Sequence, residues 1–306
     1  MGTSQKRKAT IPCGGGSRNA VTGDYLAETQ LIIYQEKWES ILIRLARNHY
    51  YYNAYSGNFG DELGVEIVRR ICRKPVRHVD ILGRKFARFR RLPFRDPSGL
   101  FALGSIFSFV RGNDVIWGTG VKSSEFPLRY RVDNLDIRSV RGPLTCEYLR
   151  GEHGLECPRE FGDPALLTAR LFPEYKVNPV RSVGVIPHFL DIPATRSLDH
   201  VVYPNQGWRR VLEFIVGCEL VVSSSLHGLI VAESFGIPAR WWSSARLPSY
   251  ETEGHFKFND YFASTDRELN DFAETLGDAV RQGGKESIRD VDEDRILNLF
   301  PHDRLA

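Results

Sequence analysis

Short apolar runs alternate with segments of helical periodicity along this chain, and turns rich in glycine and serine separate them. The run Leu220 to Val222 predicts a buried strand, and apolar residues at helical spacing up to Phe235 predict the helix that follows. Gly236 is expected to end this helix, because glycine readily adopts the backbone conformation found just beyond helix C-termini. The same criteria predict strands at 49–55, 114–117, 137–140 and 182–187, helices at 31–45, 146–150, 271–282 and up to residue 70, and a loop at 241–254.

Alternating strands and helices are typical of α/β proteins with parallel sheets. The alternation continues on both sides of the polar segment Pro173 to Pro179, which has the composition of a linker. We therefore predict two Rossmann-like domains, at 29–172 and 173–306, with an active cleft between them. Residues 1–28 are rich in glycine, serine, threonine and lysine and are predicted to form a disordered tail.

His227 is the strongest candidate for a functional residue. It lies among small residues, between the carboxyl end of a predicted strand and the amino end of the next helix. Ligands bind at this position in open α/β sheets, because backbone N–H groups and the helix dipole favour anions there. A histidine surrounded by serine and glycine residues also needs polar partners or a ligand.

Five further candidates each carry two interpretations. Asn58 and Asp61 either begin a helix or contact substrate hydroxyls, with Asp61 able to act as a base. Arg141, which precedes Gly-Pro, either caps a neighbouring helix or binds an anion through both arms of its guanidinium group. Glu233 either forms a pair on a helix surface or bonds a sugar hydroxyl. His188 follows a predicted strand and is either structural or part of the same site.

Several common catalytic and metal-binding patterns are missing from the sequence. No GxSxG, HExxH, Walker or GxGxxG motif occurs. Asp163 precedes a proline, which is more typical of a helix N-cap than of a catalytic acid. The five cysteines are widely spaced and form no CxxC pattern, so neither a disulfide framework nor a metal site is predicted.

The net charge of +3 is small for 306 residues and indicates no general attraction to nucleic acid or membranes. The stretch Arg69 to Arg95 nevertheless contains eleven lysine or arginine residues against one acid, Asp80. Such a stretch is either a solvated surface or a contact with an anionic membrane or phosphorylated lipid carrier. Nucleic acid is disfavoured because no nucleic-acid-binding motif accompanies the charge. With no apolar window of membrane-spanning length, we expect a cytoplasmic protein, either free or held peripherally at the inner membrane face.

Six motifs, taken together and in this order, resemble the polysaccharide pyruvyl transferase family, and specifically its exopolysaccharide ketal-pyruvate transferase branch. The likeness covers roughly residues 48–245. The motifs are Gly57-Asn58-Phe59-Gly60-Asp61-Glu62-Leu63, Trp117-Gly118-Thr119-Gly120, Val140-Arg141-Gly142-Pro143-Leu144-Thr145, Gly162-Asp163-Pro164-Ala165, Ile186-Pro187-His188, and Ser223 to Gly228 with Gly236-Ile237-Pro238.

The resemblance implies a glycosyltransferase-B-like pair of Rossmann-type domains. It also implies phosphoenolpyruvate as the donor and co-substrate. No separate cofactor or metal is expected, because the sequence contains no cluster of metal ligands. The acceptor would be a hexose of a lipid-linked oligosaccharide or polysaccharide, which would receive a pyruvyl ketal while phosphate is released. The site residues assigned on this basis are His227, Asp61 and Arg141 as catalytic, Ser223, Ser224, Ser225, Leu226, Gly228, Arg240 and Glu233 as donor-binding, and Asn58 and His188 as acceptor-binding.

The His227 motif departs from the family pattern at one position. Family members often have arginine where this chain has Ser225. We expect Arg240 to supply the missing positive charge. His227 is expected to act as the acid or as the proton donor on the phosphate side, because imidazole titrates near neutrality.

Two other functions fit the same residues. One is a conventional glycosyltransferase that uses a nucleotide sugar, in which Glu233 would hold the ribose. The other is a non-catalytic glycan-binding relative, which is consistent with serine instead of arginine at position 225.

Overall fold

The computed structural model describes residues 50–53, 57–73, 76–80, 99–123, 128–130, 132, 134–243, 248–284 and 291–304, all within the compact unit Asn48–Ala306. The predicted tail at 1–28 and the predicted helix at 31–45 lie outside these residues. Most of the basic stretch after residue 80 also lies outside them.

The first sheet contains five parallel strands in the order β2-β1-β3-β4-β5. Beyond β5, Val140 pairs in parallel with Phe161, so the segment that leads into Asp163 extends along the same sheet. The two central strands β3 and β4 are buried along their whole length, as expected for parallel strands covered on both faces. The strands are β1 Tyr50–Asn53, β2 Arg77–Asp80, β3 Gly99–Phe101, β4 Val115–Trp117 and β5 Asp136–Ser139.

The second sheet contains three parallel strands, β6 Arg181–Ile186, β7 Cys218–Ser223 and β8 Ala239–Trp241, in that order. Val201 pairs with the outer side of β6, so β6 lies between the next paired segment of the chain and β7. In the first sheet, β1 likewise lies between β2 and β3. The chain therefore leaves β1 and β6 at points where the strand order reverses, which are the places where open α/β sheets bind ligands.

Nine α-helices are assigned in the described part of the chain, with short 3₁₀ turns between them. The helices are α1 Phe59–Cys72, α2 Pro143–His153, α3 Thr168–Leu171, α4 Ile192–Thr195, α5 Trp208–Ile215, α6 Leu226–Ser234, α7 Pro248–Ser264, α8 Leu276–Gln282 and α9 Glu293–Asn298.

Two predicted elements need correction. The loop predicted at 241–254 is wrong at Trp241, which ends β8, and at 248–254, because α7 begins at Pro248 and continues to Ser264. Its glycine at position 254 and its polar first turns weaken the helical pattern in the sequence. The helix predicted at 271–282 begins five residues later, at Leu276, where Thr275 caps it by accepting a hydrogen bond from the Asp278 N–H.

One apolar core connects the elements of both sheets. Leu63 of α1, Trp117 of β4, Val221 of β7 and Leu229 of α6 all belong to it and are almost completely buried. The α/β fold with parallel sheets is therefore confirmed. The division into domains at 172/173 and the glycosyltransferase-B-like arrangement stay predictions, although one sheet lies on each side of that position.

Candidate active site

His227 lies in the first turn of α6, two residues after the N-cap Ser225. The turn between β7 and α6 is held by Ser223, whose Oγ accepts a hydrogen bond from the Ser225 N–H at 3.0 Å. Gly228 is required in this turn, since a Cβ there would come within 2.4 Å of Ser223 Oγ. Ser225 makes no side-chain cap bond, so the first N–H groups of α6 lack the acceptor that an N-cap usually supplies. This helix end suits an anion.

Ser224 connects the His227 turn to the end of β6. Its Oγ accepts a hydrogen bond from the His188 N–H at 2.8 Å and donates one to Asp191 Oδ2 at 2.6 Å. Nδ1 of His188 in turn accepts from the Leu190 N–H. His188 is therefore held beside the His227 loop, and burial together with Lys257 and Lys122 lowers its pKa to about 2.

The His227 ring packs directly against the first turn of α1. A Cβ at Gly60 would lie only 2.1 Å from His227 Nδ1, so this position of α1 has room for glycine alone. Asn58 caps α1, with its Oδ1 accepting a hydrogen bond from the Gly60 N–H at 3.3 Å. The edge of the Phe59 ring also faces the imidazole, at 6.5 Å between ring centroids. The first turn of α1 and the first turn of α6 are therefore in direct contact, through Gly60 and His227.

Asp163 faces the opposite edge of the imidazole. Its Oδ2 is 4.0 Å from His227 Nε2, and neither atom has a hydrogen-bond partner among the described residues, although both are buried. The other carboxylate oxygen, Oδ1, accepts a hydrogen bond from the Ala165 N–H, which confirms the predicted N-cap followed by Pro164. Asp163 therefore combines the structural role with a position next to His227 that the sequence did not indicate.

Burial shifts the pKa values of this pair in opposite directions. It raises the pKa of Asp163 to about 6, an effect that the nearby Arg141 partly offsets. It lowers the pKa of His227 to about 3, and the charges of Lys257 and Arg141 add to that shift. His227 is consequently neutral near physiological pH, with 12% of its side chain exposed. A neutral imidazole must accept a proton before it can donate one. The sequence analysis expected His227 to begin as a proton donor, whereas the neutral ring begins as a proton acceptor.

Arg141 is completely buried at the carboxyl end of β5. Its Nε donates to Asp260 Oδ2 of α7 at 2.9 Å, Nη1 to Ser105 Oγ at 2.8 Å and Nη2 to the Val121 carbonyl at 2.7 Å. Gly120 lies against the guanidinium group, where a Cβ would come within 2.4 Å of Cζ. The arginine is thus fixed in orientation by neighbours from distant parts of the chain.

Asp61 is 5% exposed in the first turn of α1, where an acidic side chain complements the helix dipole. Its Oδ1 lies near Gly104 of the loop after β3, at 3.2 Å from the position of a Cβ on that glycine. Asp61 is therefore placed at the point where the strand order of the first sheet reverses.

Two predicted donor-binding residues point to other partners. Glu233 accepts hydrogen bonds from Tyr261 Oη at 2.6 Å and Arg267 Nη1 at 2.7 Å. Arg240 donates to Asp271 and to Gln282 of α8.

The position of Arg240 separates it from the His227 loop. It lies directly opposite Val222 in β7, and Val222 packs with residues of α8. Its neighbour Val221 packs instead with α6, on the other face of the sheet. The structure therefore does not bring Arg240 to the His227 loop, and its proposed compensation for Ser225 gains no support.

The groups that the sequence analysis missed come from distant parts of the chain. Asp260 and Lys257 lie on α7, part of which the sequence pattern assigned to a loop, so no local signal pointed to them. Gly60 and Asp163 stood within recognised motifs, and only their contact with His227 was hidden. Within the described ranges, no group of three or more histidine, cysteine or acidic residues is arranged to hold a metal ion. No helix in those ranges is long and apolar enough to cross a membrane.

Comparison with known proteins identifies a family for this chain. A family model for polysaccharide pyruvyl transferase matches residues 23–244. The succinoglycan biosynthesis protein ExoV of Rhizobium meliloti is 26% identical over 69% of this chain and 63% of its own length. An uncharacterized protein of Acanthamoeba polyphaga mimivirus is 32% identical over 53% of this chain and 58% of its own length. The matches thus span about three fifths of these curated relatives.

A crystal structure of a functionally uncharacterized protein from Klebsiella pneumoniae aligns with 79% of this chain and 98% of its own, at 13% identity and a TM-score of 0.41. The family match, by contrast, covers well over half of this chain and includes β1 to β8 together with α1 to α6. The two sheets define an α/β protein, and the family match makes it a member of a transferase family. This chain belongs to the polysaccharide pyruvyl transferase family.

Proposed function

We propose that this protein transfers the enolpyruvyl group of phosphoenolpyruvate onto a hexose of a lipid-linked oligosaccharide or polysaccharide repeat unit. The product is a pyruvate ketal, and phosphate is released. Family membership supports the reaction class. The observation that carries the proposal is the His227–Asp163 pair, in which a neutral imidazole and a carboxyl of raised pKa face each other at 4.0 Å beside a helix N-terminus.

The chemistry requires two hydroxyls to lose their protons. One proton is added to C3 of the donor, which turns its CH₂ group into a methyl group, and the first hydroxyl oxygen bonds to C2. The C2–O bond to phosphate then breaks, the second hydroxyl oxygen bonds to C2, and the second proton leaves with phosphate. A base and a proton carrier are therefore needed at one centre.

His227 and Asp163 suit the role of proton carrier. The neutral imidazole accepts a proton from a hydroxyl, and the Asp163 carboxylate behind it stabilises the resulting imidazolium, as in other carboxylate–histidine pairs. The imidazolium then returns the proton to the departing phosphate. Asp61, at the start of α1, remains the candidate base for the other hydroxyl, and the proton that it takes is the one added to C3 of the donor.

The donor is proposed to bind at the amino end of α6. Its phosphate and carboxylate need positive charge or free N–H groups, and the first turn of α6 at Leu226 and Gly228 offers the latter, while Ser225 borders this turn with its own N–H bonded to Ser223. Arg141 contributes positive charge from the end of β5. The acceptor would approach past His188 and Asn58, whose Nδ2 is the group available to donate to a sugar hydroxyl. We place the reaction in the cytoplasm, with peripheral contact to the membrane through the basic stretch Arg69 to Arg95.

The alternative of a nucleotide-sugar glycosyltransferase depends on Glu233 as the ribose ligand. Both oxygens of Glu233 already accept hydrogen bonds, from Tyr261 and Arg267. A ribose would have to displace these bonds inside a buried site, which costs the free energy of the buried ion pair. This observation favours phosphoenolpyruvate over a nucleotide sugar.

The test is thermal unfolding of the purified protein with phosphoenolpyruvate, phosphate, UDP or GDP over a concentration series. A ligand that binds only the folded state raises the midpoint temperature in proportion to the logarithm of its concentration. We expect phosphoenolpyruvate to stabilise the wild-type protein, and His227→Ala to abolish phosphate release with a hexose acceptor while the fold is retained. Stabilisation by UDP or GDP alone would support sugar transfer, and full activity of His227→Ala would refute the catalytic assignment. Glycan binding without phosphate release would identify a non-catalytic relative.

A further inference from the structure

Helix α7 joins the two halves of the site. Asp260 of α7 accepts hydrogen bonds from Arg141 Nε, from the Thr145 N–H and from Thr145 Oγ1, all on the side of the first sheet. The next residue, Tyr261, donates from Oη to Glu233 of α6, beside the second sheet. Two adjacent side chains of one helix therefore contact the two groups of elements that carry Arg141 and His227.

Lys257 lies on the same face of α7, at an angle around the helix axis between those of Asp260 and Tyr261. With 3.6 residues per turn, its side chain is about 60° from that of Asp260 on one side and about 40° from that of Tyr261 on the other. Lys257 is 8% exposed, which is unusual for a lysine. Its Nζ lies 5.6 Å from the centroid of the Phe258 ring. That ring stacks on Trp241, which pairs with Ser223 at the start of the His227 turn.

The electrostatic coupling of the site agrees with this position. The charge of Lys257 contributes to lowering the pKa values of both His227 and His188. These histidines follow the neighbouring strands β6 and β7, and the His188 N–H donates to Ser224 Oγ of the His227 loop at 2.8 Å.

We propose that the ammonium group of Lys257 binds an anionic oxygen of the donor next to His227 and supplies the positive charge that Arg240 does not bring to the site. This inference rests on the proposed function, since it assumes an anionic donor at the amino end of α6. A lysine presents three N–H donors on a flexible side chain and binds phosphate as a point charge.

The first test compares phosphoenolpyruvate affinity by calorimetry in wild type, Lys257→Gln, Lys257→Arg and Lys176→Gln. Lys176 is exposed in the segment between Phe172 and β6, so its substitution changes the net charge equally at a remote position. Loss of a hydrogen bond to a charged group predicts affinity about ten- to a hundredfold weaker in Lys257→Gln. Lys257→Arg should stay close to wild type, and Lys176→Gln should equal it. Wild-type affinity in a folded Lys257→Gln variant would overturn the inference.

Inorganic phosphate serves as a second ligand in the same series. If Lys257 contacts the phosphoryl group, phosphate affinity falls in Lys257→Gln along with that of phosphoenolpyruvate. If it contacts the carboxylate, only phosphoenolpyruvate affinity falls. A wild-type protein that binds neither ligand would refute the proposed function itself.

A measurement without ligand distinguishes failure of the inference about Lys257 from failure of the proposed function. NMR titration of the histidine ring signals should show higher pKa values for His227 and His188 in Lys257→Gln than in wild type, because a neighbouring positive charge is removed. Unchanged values would refute the placement of Lys257 whatever the donor is.

If Lys257→Gln does not fold, acetylation of Lys257 in the wild-type protein provides the test. The extent of acetylation is measured by mass spectrometry with and without phosphoenolpyruvate. Protection by the donor supports the contact, and equal acetylation overturns it.

Discussion

Substitution of Gly60 by alanine tests the contact on which the candidate site depends. The new Cβ would lie 2.1 Å from His227 Nδ1, 2.7 Å from Cγ and 2.9 Å from Cε1. Ordinary contact between such atoms requires about 3.5 Å, so the imidazole or the start of α1 has to move by about 1.4 Å. The ring has little freedom to retreat, because Asp163 lies at its other edge.

The expected effect on stability is modest, and the effect on activity is large. Overpacking of this kind costs about 1–3 kcal/mol. Replacing glycine by alanine within a helix returns about 0.5–1 kcal/mol, because the unfolded chain loses freedom. The free energy of unfolding should therefore fall by no more than about 2.5 kcal/mol. A displacement of about 1 Å at a catalytic group costs about a hundredfold in rate.

Gly151 provides the matched control. It is an exposed residue of α2, and a Cβ added there would have no atom within 4 Å. Gly151→Ala should stabilise the protein slightly and leave activity unchanged. The assays are urea unfolding for stability and phosphate release from phosphoenolpyruvate for activity. Wild-type phosphate release in Gly60→Ala would refute the packing of His227 on α1 as the basis of the site.

Two further predictions concern buried charge. Asp260→Asn leaves Arg141 without its ionic partner and should lower the free energy of unfolding by about 3–5 kcal/mol, measured by urea unfolding. The control Arg295→Ala breaks an exposed ion pair and should lower it by about 1 kcal/mol or less in the same experiment. The second prediction concerns the stability of the protein in acid. Between about pH 3 and 6.5, His227 is protonated in the unfolded chain but not in the folded chain. This residue therefore makes the free energy of unfolding fall as the pH is lowered. Asp163 acts in the opposite direction between about pH 4 and 6, because its raised pKa lets the folded chain bind the proton first. Urea unfolding over this range should therefore show His227→Asn less acid-sensitive than wild type and Asp163→Asn more so; equal pH dependence in all three proteins would contradict the assigned burial.

The local sequence was sufficient to predict the α/β class and the position of His227. Apolar runs of strand length, followed by glycine- or serine-rich turns and helical periodicity, depend only on residues near one another in the chain. The turn between β7 and α6 is determined in this way, since Ser223 bonds within the same turn and Gly228 packs on it. The six motifs that pointed to the family are also local, and the family match confirms the resemblance they carry.

Helix α7 shows where local pattern was insufficient. Its polar first turns carry little periodicity, and its formation is supported by contacts with distant elements, such as those of Asp260 with Arg141 and of Phe258 with Trp241. Lys257 lies between the loop predicted at 241–254 and the helix predicted at 271–282, in a segment to which no element was assigned, so it could not be placed near the site.

Charge and proton chemistry at the site were decided by tertiary structure alone. Sequence motifs identified His227 and Asp163 individually, but burial in the folded chain separates their pKa values, and packing brings them to 4.0 Å from each other. The same holds for Arg240, which the sequence places just beyond the His227 helix, while strand register directs it to the opposite face of the sheet. The sequence by itself determined which residue types are present and which local turns hold them. Only the tertiary structure decided which of them meet, because contacts between residues far apart along the chain depend on how sheets and helices pack.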